Sequence, residues 1–240
     1  MYKNYIFDLY GTLIDINTDE SDSLLWEKLS LFYKFKGANY SPSELKESYT
    51  NLVNTELKKL SNTSYPDIQL ENIFYLLYTN KGIIPSPELT TDTAQLFRIL
   101  SIKYIKLYDG VLNLLNLLKN KNKKIYLLSN AQRVFTLYEM KLLGIEEYFD
   151  DILFSSDFNI CKPDKEFFNT LINKHNLNIE ESIMIGNDIL CDIEGALNVG
   201  LDTLYLHSNL SSNLDSSNNI KSTYKVMDMN LLKVPELIIK

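Results

Sequence analysis

The stretch KNYIFDLYGTL, residues 3–13, decides how the rest of the chain is interpreted. A short run of β-forming apolar residues ends at Asp8, and Gly11 and Thr12 follow at once. Open α/β sheets place their sites at the carboxyl ends of strands. A carboxylate there can act as a nucleophile that forms an ester or an acyl phosphate. Tyr10 is the unusual residue of the stretch, and much of the question of function depends on it.

The composition favours a folded protein and disfavours nucleic-acid binding. The 240 residues are 45% hydrophobic, enough for one large domain or two small ones. The net charge is −7 with dispersed acids, whereas nucleic-acid binding needs a clustered basic face. Cys161 and Cys191 have no metal-ligand spacing, and no apolar run approaches the ~20 residues of a membrane span. With no signal peptide before the first strand, we expect a cytoplasmic protein that contacts no membrane.

The segment 15–105 has a helical texture throughout. Apolar residues recur at helical spacing over 21–36, and a capping box with a proline begins a second helix at Ser41. A third helix is predicted to open at Pro66 and a fourth at Ser86. We therefore predict four helices and no strand between residues 15 and 105.

From Asp109 onward, strands alternate with helices. The predicted strands are 123–128, 151–154, 182–185 and 203–206, with a last one at 224–227. The predicted helices between them are 111–119, 131–143, 163–175 and 189–199, and 208–222 is predicted to be a loop. Such alternation implies a parallel sheet with right-handed crossovers. The fold expected is α/β, a doubly wound parallel sheet formed by 1–14 and 106–240, with 15–105 inserted as a helical cap.

Polar residues follow four of the predicted strands, and the carboxyl ends of parallel strands meet at one edge of a sheet. These residues are Asp8 and Thr12, Ser129 and Asn130, Lys162, and Asp188 with Asp192. Together they offer a nucleophile, hydroxyl donors, one cation and two further carboxylates.

The order D-x-x-G-T, S-N, K-P and G-N-D-x-x-x-D-x-x-G-A resembles the haloacid dehalogenase superfamily. The resemblance covers essentially the whole chain, because the helical insertion is similar to that family's cap between the first and second motifs. Each motif alone is weakly specific, whereas four in order at strand ends, together with a cap, are specific. The resemblance implies a Rossmann-like core and a hydrolase.

The resemblance also implies a role for each polar residue. Asp8 would be the nucleophile, Lys162 would neutralise developing charge, and Tyr10 would stand at the position of the catalytic acid. The implied substrate-binding residues are Gly11, Thr12, Ser129 and Asn130. The implied ligands of Mg²⁺ are Asp8, the Tyr10 backbone carbonyl, Asp188 and Asp192. Asn187 stands where the family usually has its acid, which leaves open whether Asp188 or Asp192 contacts the metal, or whether they only cap a helix.

Tyr10 departs from the pattern of the family's phosphatases, which carry a second aspartate there to protonate the leaving alkoxide. A tyrosine, with an ordinary pKa near ~10, is a poor replacement at neutral pH. The family's 2-haloacid dehalogenases do carry this tyrosine, and a halide needs no proton to leave. Those enzymes, however, lack the acids at the last motif and use a cap arginine about thirty residues after the nucleophile. Asn39 occupies that region here, and no arginine precedes Arg98.

Three functions therefore remain open from the sequence. The first is a Mg²⁺-dependent phosphohydrolase that acts on a small phosphorylated metabolite through an aspartyl-phosphate at Asp8. The second is a 2-haloacid dehalogenase that uses Asp8 without metal. The third is a catalytically weakened protein that binds a phospho-ligand or acts as a sensor. We expect a small-molecule substrate and a monomer or homodimer.

Overall fold

A computed structural model describes residues 1–61, 63–212 and 220–239. Its main feature is a six-stranded, all-parallel sheet in the order β5-β4-β1-β6-β7-β8. The strands are β1 Asn4–Phe7, β4 Lys124–Ser129, β5 Asp151–Phe154, β6 Ser182–Gly186, β7 Asp202–Leu206 and β8 Tyr224–Val226. The predicted parallel sheet is confirmed.

Strand β1 lies in the middle of the sheet, where the strand order reverses. Phe7 pairs with Leu127 of β4 on one side and with Ile185 of β6 on the other. The three strands therefore end at the same level, and the residues that follow them share one crevice. Asp8 is the first residue after β1 and lies at the bottom of this crevice.

Helices cover both faces of the sheet. Tyr5 and Phe7 pack on one face against α5 (Val111–Asn120) and α10 (Val234–Ile238), while Ile6 packs on the other face with α8 (Lys165–His175). The core helices are α5 Val111–Asn120, α6 Arg133–Leu142, α7 Ser155–Phe158, α8 Lys165–His175, α9 Gly195–Leu197 and α10 Val234–Ile238. Successive side chains of a strand point to opposite faces, and here helices cover both faces. Strand β1 is therefore buried on both sides, which explains why its sequence is a continuous apolar run.

The cap forms a four-helix unit with an aromatic interior. Its helices are α1 Ser23–Phe35, α2 Pro42–Lys59, α3 Leu70–Thr79 and α4 Pro87–Ser101. Rings of Trp26, Tyr49, Phe74 and Phe97 lie against one another with centroids 5.2 to 5.8 Å apart. Phe135 of core helix α6 joins this cluster, so the cap and the core share apolar contacts.

The prediction that 15–105 contains no strand is wrong. Strand β2, Ile14–Thr18, pairs with β3, Ile102–Leu107, in an antiparallel ribbon where the chain enters and leaves the cap. Both strands are short, and each depends on a partner far away in the sequence, so neither gives a strong local signal. The boundaries at 14/15 and 105/106 cut through this ribbon, and the division into core and cap stays an interpretation.

Three smaller predictions also differ from the structure. The third cap helix begins at Leu70 instead of Pro66, because Pro66 forms a bridge with Ile160 of the core. The predicted helix 189–199 begins as a π-helical turn, Ile189–Glu194. Helix α7 was not predicted. Of the predicted loop 208–222, residues 213–219 lie outside the described residues, and the rest contains neither helix nor strand.

Within the described ranges, none of the helices combines the length and the apolar character needed to cross a bilayer.

Candidate active site

Lys162 lies between two carboxylates at the centre of the crevice. Its Nζ is 2.7 Å from Asp8 Oδ1 and 2.7 Å from Asp192 Oδ1. The three residues are only 8% (Asp8), 2% (Lys162) and 1% (Asp192) exposed. Charges taken this far out of water are tolerated only when they are paired and hydrogen-bonded. The structure thus brings together the predicted nucleophile Asp8, the predicted cation Lys162 and Asp192, which like Asp8 is a predicted metal ligand.

The pKa values of this group follow from burial and from charge. Burial acts to lower the pKa of Lys162, but Asp192 and Asp8 outweigh it and raise that pKa above its ordinary range. Burial raises the pKa of Asp192, and the Lys162 ammonium opposes this rise. Lys162 is therefore a permanent cation beside the nucleophile.

Two hydroxyl groups complete the surroundings of Asp8. Ser129 Oγ donates to Asp8 Oδ1 at 3.3 Å, and Thr12 Oγ1 lies 3.4 Å from Asp8 Oδ2. Thr12 Oγ1 also lies 3.2 Å from Asn187 Oδ1. Ser129 ends β4, and Thr12 sits in the turn after β1, so both arrive from neighbouring strand ends as predicted.

Gly11 permits the close approach of this turn to the last motif. Its φ is +85°, and an added Cβ would lie 2.4 Å from Asn187 Nδ2. Only glycine adopts this conformation without cost and leaves room for Asn187. Gly11 therefore shapes the site through its backbone.

Asn130 holds the loop that carries Lys162. Its Nδ2 donates to the Lys162 carbonyl at 2.9 Å, and its Oδ1 accepts from the Lys162 N–H at 2.8 Å. The next N–H, that of Ala131, donates to Ser155 Oγ at 2.9 Å. The amide side chain of Asn130 thus positions the lysine, a role that the sequence did not suggest.

Asp188 and Asp192 occupy different environments. Asp188 Oδ1 accepts from the Cys191 N–H at 2.7 Å and caps the π-helical turn. Asp192 Oδ2 accepts from the Asp188 N–H at 2.9 Å, while its other oxygen faces Lys162. A Cβ on Gly186 would lie 2.2 Å from Asp192 Oδ2, so glycine is required beneath it. Each oxygen of Asp192 already has a partner within the protein, whereas Asp188 is half-buried at the cavity wall.

Tyr10 is tied to the opposite side of the crevice. Its hydroxyl donates to Glu139 of α6 and lies 3.0 Å from Thr136 Oγ1. Arg98 of cap helix α4 binds Glu139 through Nε at 2.5 Å and stacks 5.5 Å from the centre of the Tyr10 ring. Burial and the Glu139 carboxylate raise the pKa of Tyr10, so the phenol stays protonated at neutral pH.

Neither Arg98 nor Glu139 was predicted from the sequence to lie beside Tyr10. One signal was available. Arg98 and Arg133 are the two arginines of the chain, and an arginine in a lysine-rich sequence often marks a specific ion pair. Since Glu139 holds the guanidinium, Arg98 does not replace the halide-binding arginine of the dehalogenases.

These residues surround a cavity of about 290 Å³. It is lined by Asp8, Tyr10, Ser129, Asn130, Lys162, Asn187, Asp188, Cys191, Asp192 and Leu210. Its three carboxylates outnumber its one ammonium, so a phosphate would enter a negatively charged site unless a cation came with it.

The donor set fits Mg²⁺ in chemical type. Mg²⁺ takes hard oxygen ligands, commonly one or two carboxylates, with the remainder from water and substrate phosphate. Asp8 and Asp188 provide such carboxylates in the same cavity. Among the residues that the structure describes, no three acidic, histidine or cysteine side chains converge as a ready-made metal cluster. The predicted set of four ligands therefore remains a prediction.

The comparison with known proteins agrees with this geometry. The model of the haloacid dehalogenase-like hydrolases matches residues 5–206. The chain belongs to this family. The predicted membership, the α/β fold and the class of hydrolase are thereby confirmed.

Curated relatives of this hydrolase include enzymes named for phosphate esters. Pyrimidine 5'-nucleotidase PynA of Streptococcus pneumoniae is 23% identical over 230 residues, which cover 94% of this chain and 91% of PynA. A glyceraldehyde 3-phosphate phosphatase of Methanothermobacter thermautotrophicus is 29% identical, but over 39% of this chain and 42% of its own length.

Solved structures of the same fold cover nearly the whole hydrolase. The HAD phosphatase of Thermococcus onnurineus has a TM-score of 0.59 at 17% identity, with 98% of each chain covered. The 2-haloacid dehalogenase of Pseudomonas syringae has a TM-score of 0.65 at 17% identity, covering 98% of this chain and 97% of its own. YfnB of Bacillus subtilis, solved bound to magnesium, has a TM-score of 0.55 at 20% identity, covering 99% and 98%. At these identities the likeness shows the fold alone.

Proposed function

We propose that the chain is a Mg²⁺-dependent phosphohydrolase that acts on a small phosphorylated metabolite through an aspartyl-phosphate at Asp8. The observation that carries the proposal is the buried contact of Lys162 with Asp8 and Asp192, in a cavity where carboxylates outnumber cations. An excess of acids favours a metal and a phosphate together over a bare anion. The relatives named as a nucleotidase and a phosphatase support the same class of substrate.

Asp8 would attack phosphorus with Oδ2, the oxygen that Lys162 does not hold. A bond forms between Oδ2 and phosphorus while the bond from phosphorus to the leaving oxygen breaks. Ser129 and Thr12 orient the carboxylate and then the transferred phosphoryl group, and Lys162 neutralises charge that develops there. Water then attacks the phosphorus of the aspartyl-phosphate, which releases inorganic phosphate and restores Asp8.

Mg²⁺ would be held by Asp8 and Asp188, with Asp192 and the Tyr10 carbonyl as the further predicted ligands. Asp192 already accepts from Lys162 and from the Asp188 N–H, which favours Asp188 as the direct ligand. When bound, the ion would offset the negative charge of the nucleophile and of the substrate phosphate.

The proposal is tested with a panel of phosphate esters assayed while Mg²⁺ is titrated and then removed by a chelator. We expect turnover that requires Mg²⁺ and is lost in Asp8→Asn, because an amide is a poor nucleophile. Asp15→Asn is the matched control, since Asp15 is a buried aspartate close in sequence whose partners are Tyr104, Lys106 and Asn209, all outside the cavity lining. Metal-independent turnover, or turnover that survives Asp8→Asn, would contradict the proposal.

A 2-haloacid dehalogenase is the second candidate, and Tyr10 is the observation that favours it. Against it, Glu139 binds the one arginine that approaches Tyr10, and the acids of the cavity disfavour a bare haloacid carboxylate. Halide release from 2-chloropropionate in the presence of chelator would establish this activity. We expect no release.

A further inference from the structure

We infer that this site prefers acyl phosphates, and more generally phosphates whose leaving group departs as a stable anion without taking up a proton. The inference rests on the proposed function and names its substrate class. It follows from the hydrogen bonds that the protic side chains of the cavity already make within the protein.

The phenol at position 10 is committed to another acceptor. Tyr10 donates its proton to Glu139, and Arg98 holds Glu139 from the other side. A leaving oxygen would have to displace a charged carboxylate as the acceptor of this proton, in a pocket where Glu139 is only 6% exposed. Charge-assisted hydrogen bonds of this kind are about twice as strong as neutral ones.

The other protic groups of the cavity are also engaged. Ser129 donates to Asp8, and Thr12 lies within reach of Asp8 and Asn187. Both polar atoms of the Asn130 amide pair with the Lys162 backbone.

Three groups remain. The Lys162 ammonium is shared between two carboxylates, the Asn187 amide is too weak an acid to give up a proton, and the Cys191 thiol at the wall is a weak donor. Both oxygens of Asp192 act as acceptors, one from Lys162 and one from the Asp188 N–H. Among the cavity-lining residues that the structure describes, no group is therefore arranged to protonate a leaving oxygen.

The chemistry of the two substrate types then differs sharply. With an acyl phosphate, the Asp8 Oδ2–phosphorus bond forms, the phosphorus–oxygen bond breaks, and a carboxylate leaves with the electron pair. With an alkyl phosphate, the same step expels an alkoxide, which is strongly basic and needs a proton as it leaves. General acid help of this kind typically contributes ~10²–10⁴ in rate.

The absence of an acid–base residue at position 10 also affects the second step. Water that attacks the phosphorylated Asp8 must lose a proton, and it loses this proton to solvent. Hydrolysis of the intermediate is therefore slower than its formation from a reactive acyl phosphate. We expect phosphorylated Asp8 to accumulate during turnover.

The test measures kcat/KM of the full chain with Mg²⁺ for acetyl phosphate, 4-nitrophenyl phosphate, phenyl phosphate and glycerol phosphate. The logarithm of kcat/KM is plotted against the basicity of the leaving group. We expect a steep decline in the unaltered protein and the same slope in Tyr10→Phe, which removes the phenol proton and keeps the ring. Tyr10→Asp should flatten the slope and raise glycerol phosphate turnover by ~10²-fold or more.

A second readout follows the intermediate directly. Acid quenching during acetyl phosphate turnover, followed by intact-mass measurement, should show one added phosphoryl group in the unaltered protein and none in Asp8→Asn. If the quenched protein carries no phosphoryl group while acetyl phosphate is being turned over, accumulation of the intermediate is contradicted.

The remaining outcomes separate this inference from the proposed function. A shallow slope in the unaltered protein, or a slope that steepens in Tyr10→Phe, overturns the inference and leaves a phosphohydrolase. Failure to turn over any of the phosphates, without phosphorylation of Asp8, overturns the proposed function itself.

Discussion

Lys162 is the residue on which the electrostatics of the site depend. Its ammonium is the partner of two carboxylates that are almost fully buried. Its loss would leave both carboxylates in a poorly solvated pocket, and a buried charge without a partner is strongly destabilising. The same residue therefore contributes to the stability of the fold and to the proposed chemistry.

We predict that Lys162→Met lowers the free energy of unfolding by ~3–5 kcal/mol, measured by urea denaturation without metal. The double variant Lys162→Met/Asp192→Asn should regain part of this loss, because one uncompensated carboxylate has been removed. A single variant that loses less than ~1 kcal/mol would show that the ion pairs matter little to the fold.

At the scale of single residues, the sequence predicted which side chains come together in the site. It did not predict the side chains that hold them in place. Asp8, Ser129 and Lys162 meet because the ends of parallel strands must meet, and that rule needs no structure. Glu139 lies two helical turns into α6, and its contact with Tyr10 depends on how that helix packs. Packing of this kind is set by the whole core and gives no local motif.

The Lys162 loop is supported by a cap segment, residues 63–69, that precedes α3. The Cys161 N–H donates to the Tyr65 carbonyl at 2.8 Å, and Ser155 Oγ lies 2.5 Å from Asp67 Oδ2. Gln132 Nε2 donates to Asp67 Oδ1 at 3.0 Å. Because Ser155 also accepts from the N–H that follows Asn130, the cap braces both loops of the site.

We predict that Asp67→Ala lowers the free energy of unfolding by about 1–3 kcal/mol, since partly buried donors on Ser155 and Gln132 each lose one of their acceptors. It should also reduce kcat of the proposed reaction, because the Lys162 loop loses its brace. Glu56→Ala, which removes an exposed ion pair of α2 with Lys59, is the control and should change stability by less than ~0.5 kcal/mol. If Asp67→Ala changes neither the free energy of unfolding nor kcat, the cap segment 63–69 does not brace the loops of the site.

Asp150, which joins β4 to the start of β5, gives a pH-dependent test. Burial acts to raise the pKa of Asp150, but hydrogen bonds from Lys124, the Ile125 N–H and Lys119 outweigh it and lower that pKa. A lowered native pKa gives stability that is present above the unfolded pKa near ~3.9 and is lost as pH falls through the native pKa.

We therefore predict that Asp150→Asn lowers Tm at pH ~7 and that the difference narrows as pH falls below ~4. Thermal unfolding followed by circular dichroism at several pH values measures this difference. Asp92→Asn, on an exposed position of α4, serves as the control and should change Tm little throughout. A Tm difference that stays constant down to acid pH would exclude the ion pairs as its origin.

Helices with strong apolar periodicity and clear capping residues could be predicted from the sequence. Segments whose conformation depends on pairing with a distant part of the chain could not. The capping box at Ser41 and the proline after Ser86 mark helix starts that the structure confirms. Pro66 carries a similar signal, yet its bridge with Ile160 holds the chain extended. A proline signal is local, and a contact with the core overrides it.

The cap and the core are joined through α6. Phe135 of α6 packs into the aromatic interior of the cap, and Arg98 of the cap binds Glu139 one turn later on the same helix. The side chains of this ion pair are 11% and 7% exposed, so it is shielded from water and salt.

We predict that a double-mutant cycle of Arg98→Met and Glu139→Gln, measured by urea denaturation, gives a coupling energy of ~0.5–3 kcal/mol. Arg98→Met alone should cost the most, because it leaves Glu139 buried without its cation. If the losses in the free energy of unfolding of the two single variants sum to that of the double variant within ~0.3 kcal/mol, the pair does not couple the cap to the core.

The ribbon of β2 and β3 has a consequence for how such a molecule can change over evolutionary time. Ile14 faces Leu107 and Thr18 faces Ile102, so the chain leaves and re-enters the core at adjacent points. A different insert could be grafted onto this stem without altering the register of any strand of the main sheet, provided that it covers Phe135 and replaces the contacts of Asp67 and Arg98 with the core. The cap can therefore change in length and sequence over generations while the strand ends that carry Asp8, Ser129 and Lys162 keep their places.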